Sequence, residues 1–166
     1  MLYNIYCMIN NKYHSNYKGG EFMKSNTATF IGHRNCYGLD VDKLKIEIES
    51  LIKRGVTEFL SGGMGEFDRI SARVVHDLKK KYPYIKNNLV IPYLNFKVFN
   101  EDLFDELILP EAIELMPPKL TIFFRNHDMV DNSQYAICFV KHNTGGAAST
   151  YKYALRKDLE VINLAI

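Results

Sequence analysis

Three short stretches carry residue types suited to gripping a phosphate. Gly32-His33-Arg34 puts an imidazole and a guanidinium directly behind a glycine. Ser61-Gly62-Gly63-Met64-Gly65 holds three glycines in four consecutive positions. Thr144-Gly145-Gly146 is followed closely by the hydroxyls of Ser149 and Thr150. Arginine offers a planar fork of donors that matches a phosphate. Glycine lets backbone N–H groups come close to a ligand, and a helix that starts behind such a loop presents unpaired amides to an anion. The plain alternative for each stretch is a tight turn with no ligand. The Ser61–Gly65 loop is not a P-loop, because no Gly-Lys-Ser/Thr follows, and it does not match G-x-G-x-x-G.

Arg125-Asn126 and Asp131 form a fourth group. Arg125 and Asp131 are not at i,i+4 spacing, so a surface ion pair does not explain them. Asp131 can bond a sugar hydroxyl or cap the next turn. Asp68 can face a ligand, or it can complement the dipole at a helix start. If a bond is cleaved, Glu66, Asp68 or Asp131 must supply the acid or base. His76 and His142 have no partner suggested by spacing, and Lys79-Lys80-Lys81 reads as a solvated helix end.

Composition narrows the classes. The net charge of +2 over 166 residues does not predict nucleic-acid binding, although it does not exclude it. Cys7, Cys36 and Cys138 show neither metal-ligand spacing nor a disulfide framework, so no metal is expected and a reducing cytoplasm is the simple reading. No run of about 18 apolar residues suggests a membrane span. Aromatic residues make up 13% of the chain, including eleven tyrosines, which leaves material for a homo-oligomer interface.

From residue 27 onward, strand and helix patterns alternate. Strands are predicted at 27–31, 56–60, 89–93, 104–109, 135–140 and 160–164. Helices are predicted from Val41 to Ile52, from Phe67 to Leu78, from Leu120 to Met129 and over 147–157, with the proline-bearing 110–118 as loop. Strands joined through helices imply parallel pairing by right-handed crossovers. The expected fold is a Rossmann-like α/β three-layer sandwich, with a mostly parallel sheet of about five to six strands, formed by a single domain over 23–166. In such sheets ligands sit beyond the carboxyl ends of the strands. His33, Ser61, Arg125 and Gly145 should therefore converge on one hollow.

Residues 1–22 are polar, rich in Asn and Tyr, and lack periodicity. Lys18-Gly-Gly-Glu-Phe-Met23 can be encoded by AAA-GGA-GGA-GAA-TTT-ATG, which contains a purine-rich ribosome-binding sequence before an ATG. The expectation is a translated leader with the true start at Met23; the alternative is a disordered tail.

Taken in order, Thr29–Arg34, Phe59–Asp68, Arg125–Ser133 and Thr144–Ala154 resemble the SLOG superfamily, named for its DprA/Smf and LOG members, and within it the YpsA-like branch. The resemblance runs from about Thr27 to Ile162. It implies a Rossmannoid fold that binds nucleotides or nucleotide-derived molecules at these loops, as a ligand sensor in bacterial stress or anti-phage systems, a nucleotide-processing enzyme or a DNA binder. The implied contacts are Gly32, His33, Arg34, Ser61, Gly62, Gly63, Gly65, Asp68, Arg125, Asn126, Asp131, Thr144, Gly145, Gly146, Ser149 and Thr150. No cofactor is firmly implied beyond such a ligand. LOG hydrolases resemble Pro-Gly-Gly-x-Gly-Thr-x-x-Glu. Here Gly145 and Gly146 match the glycine pair, while Ala148 and Ser149 replace Gly and Thr. Lys152 falls where the glutamate should be, and a lysine cannot stabilise an oxocarbenium-like centre. A non-catalytic sensor is the leading expectation.

Overall fold

The computed structural model describes residues 24–165. The reading of residues 1–22 as leader or tail therefore lies outside the described residues. The strands are β1 (Thr27–Gly32), β2 (Glu58–Ser61), β3 (Lys86–Val90), β4 (Glu106–Ile108), β5 (Tyr135–Phe139) and β6 (Glu160–Asn163). The helices are α1 (Val41–Lys53), α2 (Glu66–Leu78), α3 (Thr121–Asp131) and α4 (Gly145–Arg156). Strand order is β4-β3-β2-β1-β5-β6. Every pairing is parallel.

Two apolar layers sandwich the sheet. On one face Leu44, Ile48 and Leu51 of α1 and Phe67, Val75 and Leu78 of α2 pack on Phe30, Phe59, Ile137 and Phe139. On the other, Val130 of α3 and Ala148 and Ala154 of α4 pack on Ile31, Ala136 and Cys138. Met129 closes over Leu60, Val90 and Ile108. Helix α1 starts where expected because the Asp40 carboxylate accepts the Lys43 N–H at 3.0 Å, satisfying one of the helix's orphan donors.

Two elements begin earlier than their patterns suggest. The third strand was expected at 89–93, yet β3 runs from Lys86 to Val90. Its fully buried Asn87 is tolerated because Nδ2 donates to the carbonyls of Ala72 and Leu103. The last helix was expected at 147–157, yet α4 starts at Gly145. Glycine is a poor helix former, and here a glycine pair forms the first turn.

Beyond β1 the chain moves outward through β2, β3 and β4, then returns to place β5 on the other side of β1. The order reverses between β1 and β5. A crevice is expected outside the carboxyl ends of strands at such a point.

Candidate functional site

A cavity of about 240 Å³ opens at this reversal. Its floor is β1 from Thr29 to Gly32, continuing into His33 and Arg34. Gly62, Met64 and Asp68 form one side. Helix α3 contributes Ile122, Arg125, Asn126 and Met129, and α4 contributes Gly146, Ala147 and Thr150. Asp68 is the sole carboxylate among the described lining residues, against two arginines.

Arg125 is the largest buried polar group of the site, with 1% of its surface exposed. Nη1 donates to the carbonyls of Gly62 (2.5 Å) and Val90 (2.6 Å), and Nε donates to Oδ1 of Asn126 (2.9 Å). The fork thus ties the ends of β2 and β3 to α3. Burial pulls its pKa down to about 10, with Asp68 and then Tyr93 acting in opposition, so it stays a cation at neutral pH. Gly62 makes this close approach possible. A Cβ there would stand 2.8 Å from Nη1 and 2.9 Å from Cζ.

Asp68 accepts the Met64 N–H at 2.8 Å, which fastens the loop to the first turn of α2. It also keeps a partly exposed edge on the cavity. The protein packed around its carboxyl pushes the pKa up to about 6, offset in part by the Met64 amide and by Arg125.

The Ser61–Gly65 loop differs from the expected anion cradle. The Gly63 N–H meets Ser61 Oγ at 3.4 Å, Met64 N–H is taken by Asp68, and Glu66 N–H donates to the Arg34 carbonyl at 2.8 Å. Glu66 and Asp68 already compensate the first turn of α2. Of this loop Gly62 and Met64 face the cavity, while Ser61, Gly63 and Gly65 shape the turn behind it.

Helix α4 is the opposite case. Its first turn carries no acid, and Thr144 makes no side-chain cap. Gly146 and Ala147 of that turn line the cavity, with α4's unpaired amides and positive dipole end at its wall. Arg34 is exposed beside it. Among the described residues its side chain has no hydrogen bond or ion pair.

Several expected contacts fall elsewhere. Asp131 accepts the Tyr153 hydroxyl at 3.0 Å and pairs with Lys157 at 2.9 Å, which fastens α3 to α4 away from the cavity. Glu66 accepts both the backbone N–H and the thiol of Cys36, which hold its pKa below the ordinary value. Burial, helped by Glu66, pushes the Cys36 thiol up to about 11 and makes it a poor nucleophile. Thr144, Gly145 and Ser149 are exposed and do not line the cavity. Thr150 lines it, but its hydroxyl donates to the Gly146 carbonyl.

His33 has an unexpected role. Rather than donating, its Nε2 accepts the N–H groups of Lys141 (3.0 Å) and His142 (3.1 Å). The ring thereby latches the loop after β5 to the loop after β1. Burial and then the neighbouring His142 lower its pKa. The latch needs neutral His33, so its contribution to stability is complete above the unfolded value of about 6.5 and is lost as pH falls through the lower folded value. Asp68 works the other way: its contribution is complete below the ordinary aspartate value and lost as pH rises through about 6. Asp68 acts alike in both proteins, so urea melts between pH 7 and 5 should show the parent losing stability relative to His33→Gln as the pH falls. Equal pH slopes in the two proteins would refute the latch.

The architecture matches that of a solved structure of DNA processing protein A from Helicobacter pylori, with a TM-score of 0.60. The likeness covers 86% of this chain and 67% of that protein at 18% identity, and that protein has a single-stranded DNA binding mode. The chain is therefore a Rossmann-like α/β domain with a cavity at its topological switch point. The profile of the YspA SLOG family matches residues 37–106. The uncharacterised SPbeta prophage-derived protein YoqJ of Bacillus subtilis (strain 168) is 30% identical over 141 residues, covering 71% of this chain and 81% of YoqJ. With that relative and that profile, the chain belongs to the SLOG superfamily, in its YpsA-like branch. Among the described residues no helix is long and apolar enough to cross a membrane.

Proposed function

We propose that this chain binds a phosphate-bearing, nucleotide-derived small molecule at the β1/β5 cavity and acts as a sensor of it. The carrying observation is the cationic balance of that cavity. Buried Arg125, Arg34 with no partner among the described residues, and the first turn of α4 without a side-chain cap face one carboxylate. A phosphate at the α4 N-terminus would accept backbone amides and reach the Arg34 fork. The prophage origin of YoqJ supports phage-related signalling as the setting.

Hydrolysis of a nucleotide bond is the weaker reading. Of the three carboxylates suited to it, Glu66 and Asp131 are engaged outside the cavity, and Lys152 donates to the Asn143 carbonyl. Asp68 would have to act as both acid and base. Single-stranded DNA binding draws support from the Helicobacter pylori neighbour, but a partly enclosed cavity of this size suits one nucleotide moiety better than a strand.

Thermal-shift measurements with ATP, NAD, ADP-ribose, nucleoside monophosphates and cyclic dinucleotides test the proposal. A saturating ligand raises the melting temperature through its preference for the folded state. Arg34→Ala should weaken the response about tenfold, as expected for losing a charge-assisted bond, without changing the melting temperature of the free protein. No response to any phosphorylated compound would overturn the reading. A gel shift with short single strands, sensitive to salt, would favour DNA instead.

A further inference from the structure

The cavity contains a second polar feature besides its phosphate-compatible wall. Arg125 uses Nη1 and Nε on the protein, but among the described residues no acceptor meets Nη2. Asp68 stands near enough to Arg125 for their charges to interact, yet the two form no ion pair within 4.0 Å. One Asp68 oxygen holds the Met64 N–H, and no donor among the described residues meets the other. A buried donor and a half-buried acceptor thus border one hollow without closing on each other.

A single group can satisfy both if it donates and accepts at once. A hydroxyl does this: its proton goes to Asp68 and its lone pair receives Nη2. A fully ionised phosphate monoester cannot, because it has no proton to donate and its charge repels the carboxylate. A bare apolar group would leave both polar atoms unpaired and out of water. The hollow also limits size. At about 240 Å³ it lies below the usual range for sites that enclose a drug-sized molecule, roughly 300–1,000 Å³.

We infer that the gap between Asp68 and Arg125 is a sugar-hydroxyl subsite, so that the cavity takes a ribose monophosphate moiety and discriminates against its deoxy counterpart. This rests on the phosphate-binding reading above and specifies which molecules satisfy it. The phosphate meets Arg34 and the first turn of α4, while the ribose hydroxyls turn inward to Asp68 and Arg125. Any base projects from the mouth.

Isothermal titration of the full chain with inorganic phosphate, ribose 5-phosphate and 2-deoxyribose 5-phosphate tests the subsite. Ribose 5-phosphate should bind about tenfold or more tightly than the deoxy compound, the usual effect of leaving a charged partner unpaired. Asp68→Asn should abolish that preference while retaining an oxygen for the Met64 amide. Equal affinity of the two sugar phosphates in the parent protein overturns the subsite and leaves phosphate binding intact. Heat from none of the three, combined with no thermal response to any nucleotide, overturns both. Because the parent comparison needs no substitution, poor folding of Asp68→Asn cannot rescue the claim.

Discussion

Arg125→Met should lower the unfolding free energy by about 3 kcal/mol and abolish the thermal response to phosphorylated ligands. The side chain is 1% exposed, and methionine of similar length can fill much of its volume. What methionine cannot do is meet the Gly62 and Val90 carbonyls, each within 2.6 Å of Nη1. Both would be left without their side-chain partner, and a buried polar group deprived of its partner costs about 1–3 kcal/mol. The Asp68 carboxyl would also lose its neighbouring cation, which pushes its pKa higher still. Against a typical total stability of about 5–15 kcal/mol this is a large fraction. Arg125→Lys should fall between: one ammonium can reach a carbonyl, but it lacks the fork that also holds Asn126. Urea denaturation with an unchanged midpoint in Arg125→Met would show that the guanidinium does not fasten these strand ends.

Gly32→Ala should destabilise the chain by about 2–3 kcal/mol and impair ligand binding as well. An added Cβ would lie 2.3 to 2.6 Å from Cδ1, Cγ and Cβ of Phe67. Phe67 cannot simply turn aside. Its ring stacks against Phe139 and meets Phe30 edge-on, in the fully buried core under α2. Relief requires the start of α2 to move away from the end of β1, the usual consequence of overpacking a filled interior. That displacement carries Asp68 with it. Gly146→Ala is the matched control. An added Cβ there meets nothing within 4 Å, and alanine favours a helix by up to about 1 kcal/mol. Its midpoint should hold or rise. If both alanine variants melt alike, the close packing at Gly32 is not rigid.

Much of the fold was legible from periodicity. Helix α1 shows its apolar stripe and the Gly55 that follows it, while the sequence leaves its cap open between Asp40 and Asp42, and β5 is a nearly uninterrupted apolar run. β3 was displaced by three residues because Asn87 and Asn88 do not look like strand interior; their partners lie on α2, before β4 and on β2. The start of α4 was hidden by the low helix propensity of its glycines. At the site, the strand-end rule located the cavity and brought His33, Arg34, Gly62, Asp68, Arg125, Asn126, Gly146 and Thr150 to it. It could not show that Ser61 and Asp68 already engage the Gly63 and Met64 amides of the Ser61–Gly65 loop. Ile122 and Met129 were missed as lining residues, although Ile122, Arg125, Asn126 and Met129 form one helical stripe that the spacing alone displays. Asp131 misled because an acid near a helix end suits a sugar hydroxyl as well as it suits Tyr153.

The placement of β1 in the middle of the sheet bears on how the chain acquires its shape. Ala28 lies beside Tyr135, although roughly a hundred residues separate them. During synthesis, β1 to β4 can assemble while β1 still offers an unpaired, apolar edge to any passing strand. That edge stays open until β5 emerges from the ribosome and docks. The interval leaves that edge exposed to aggregation before α4 has been made.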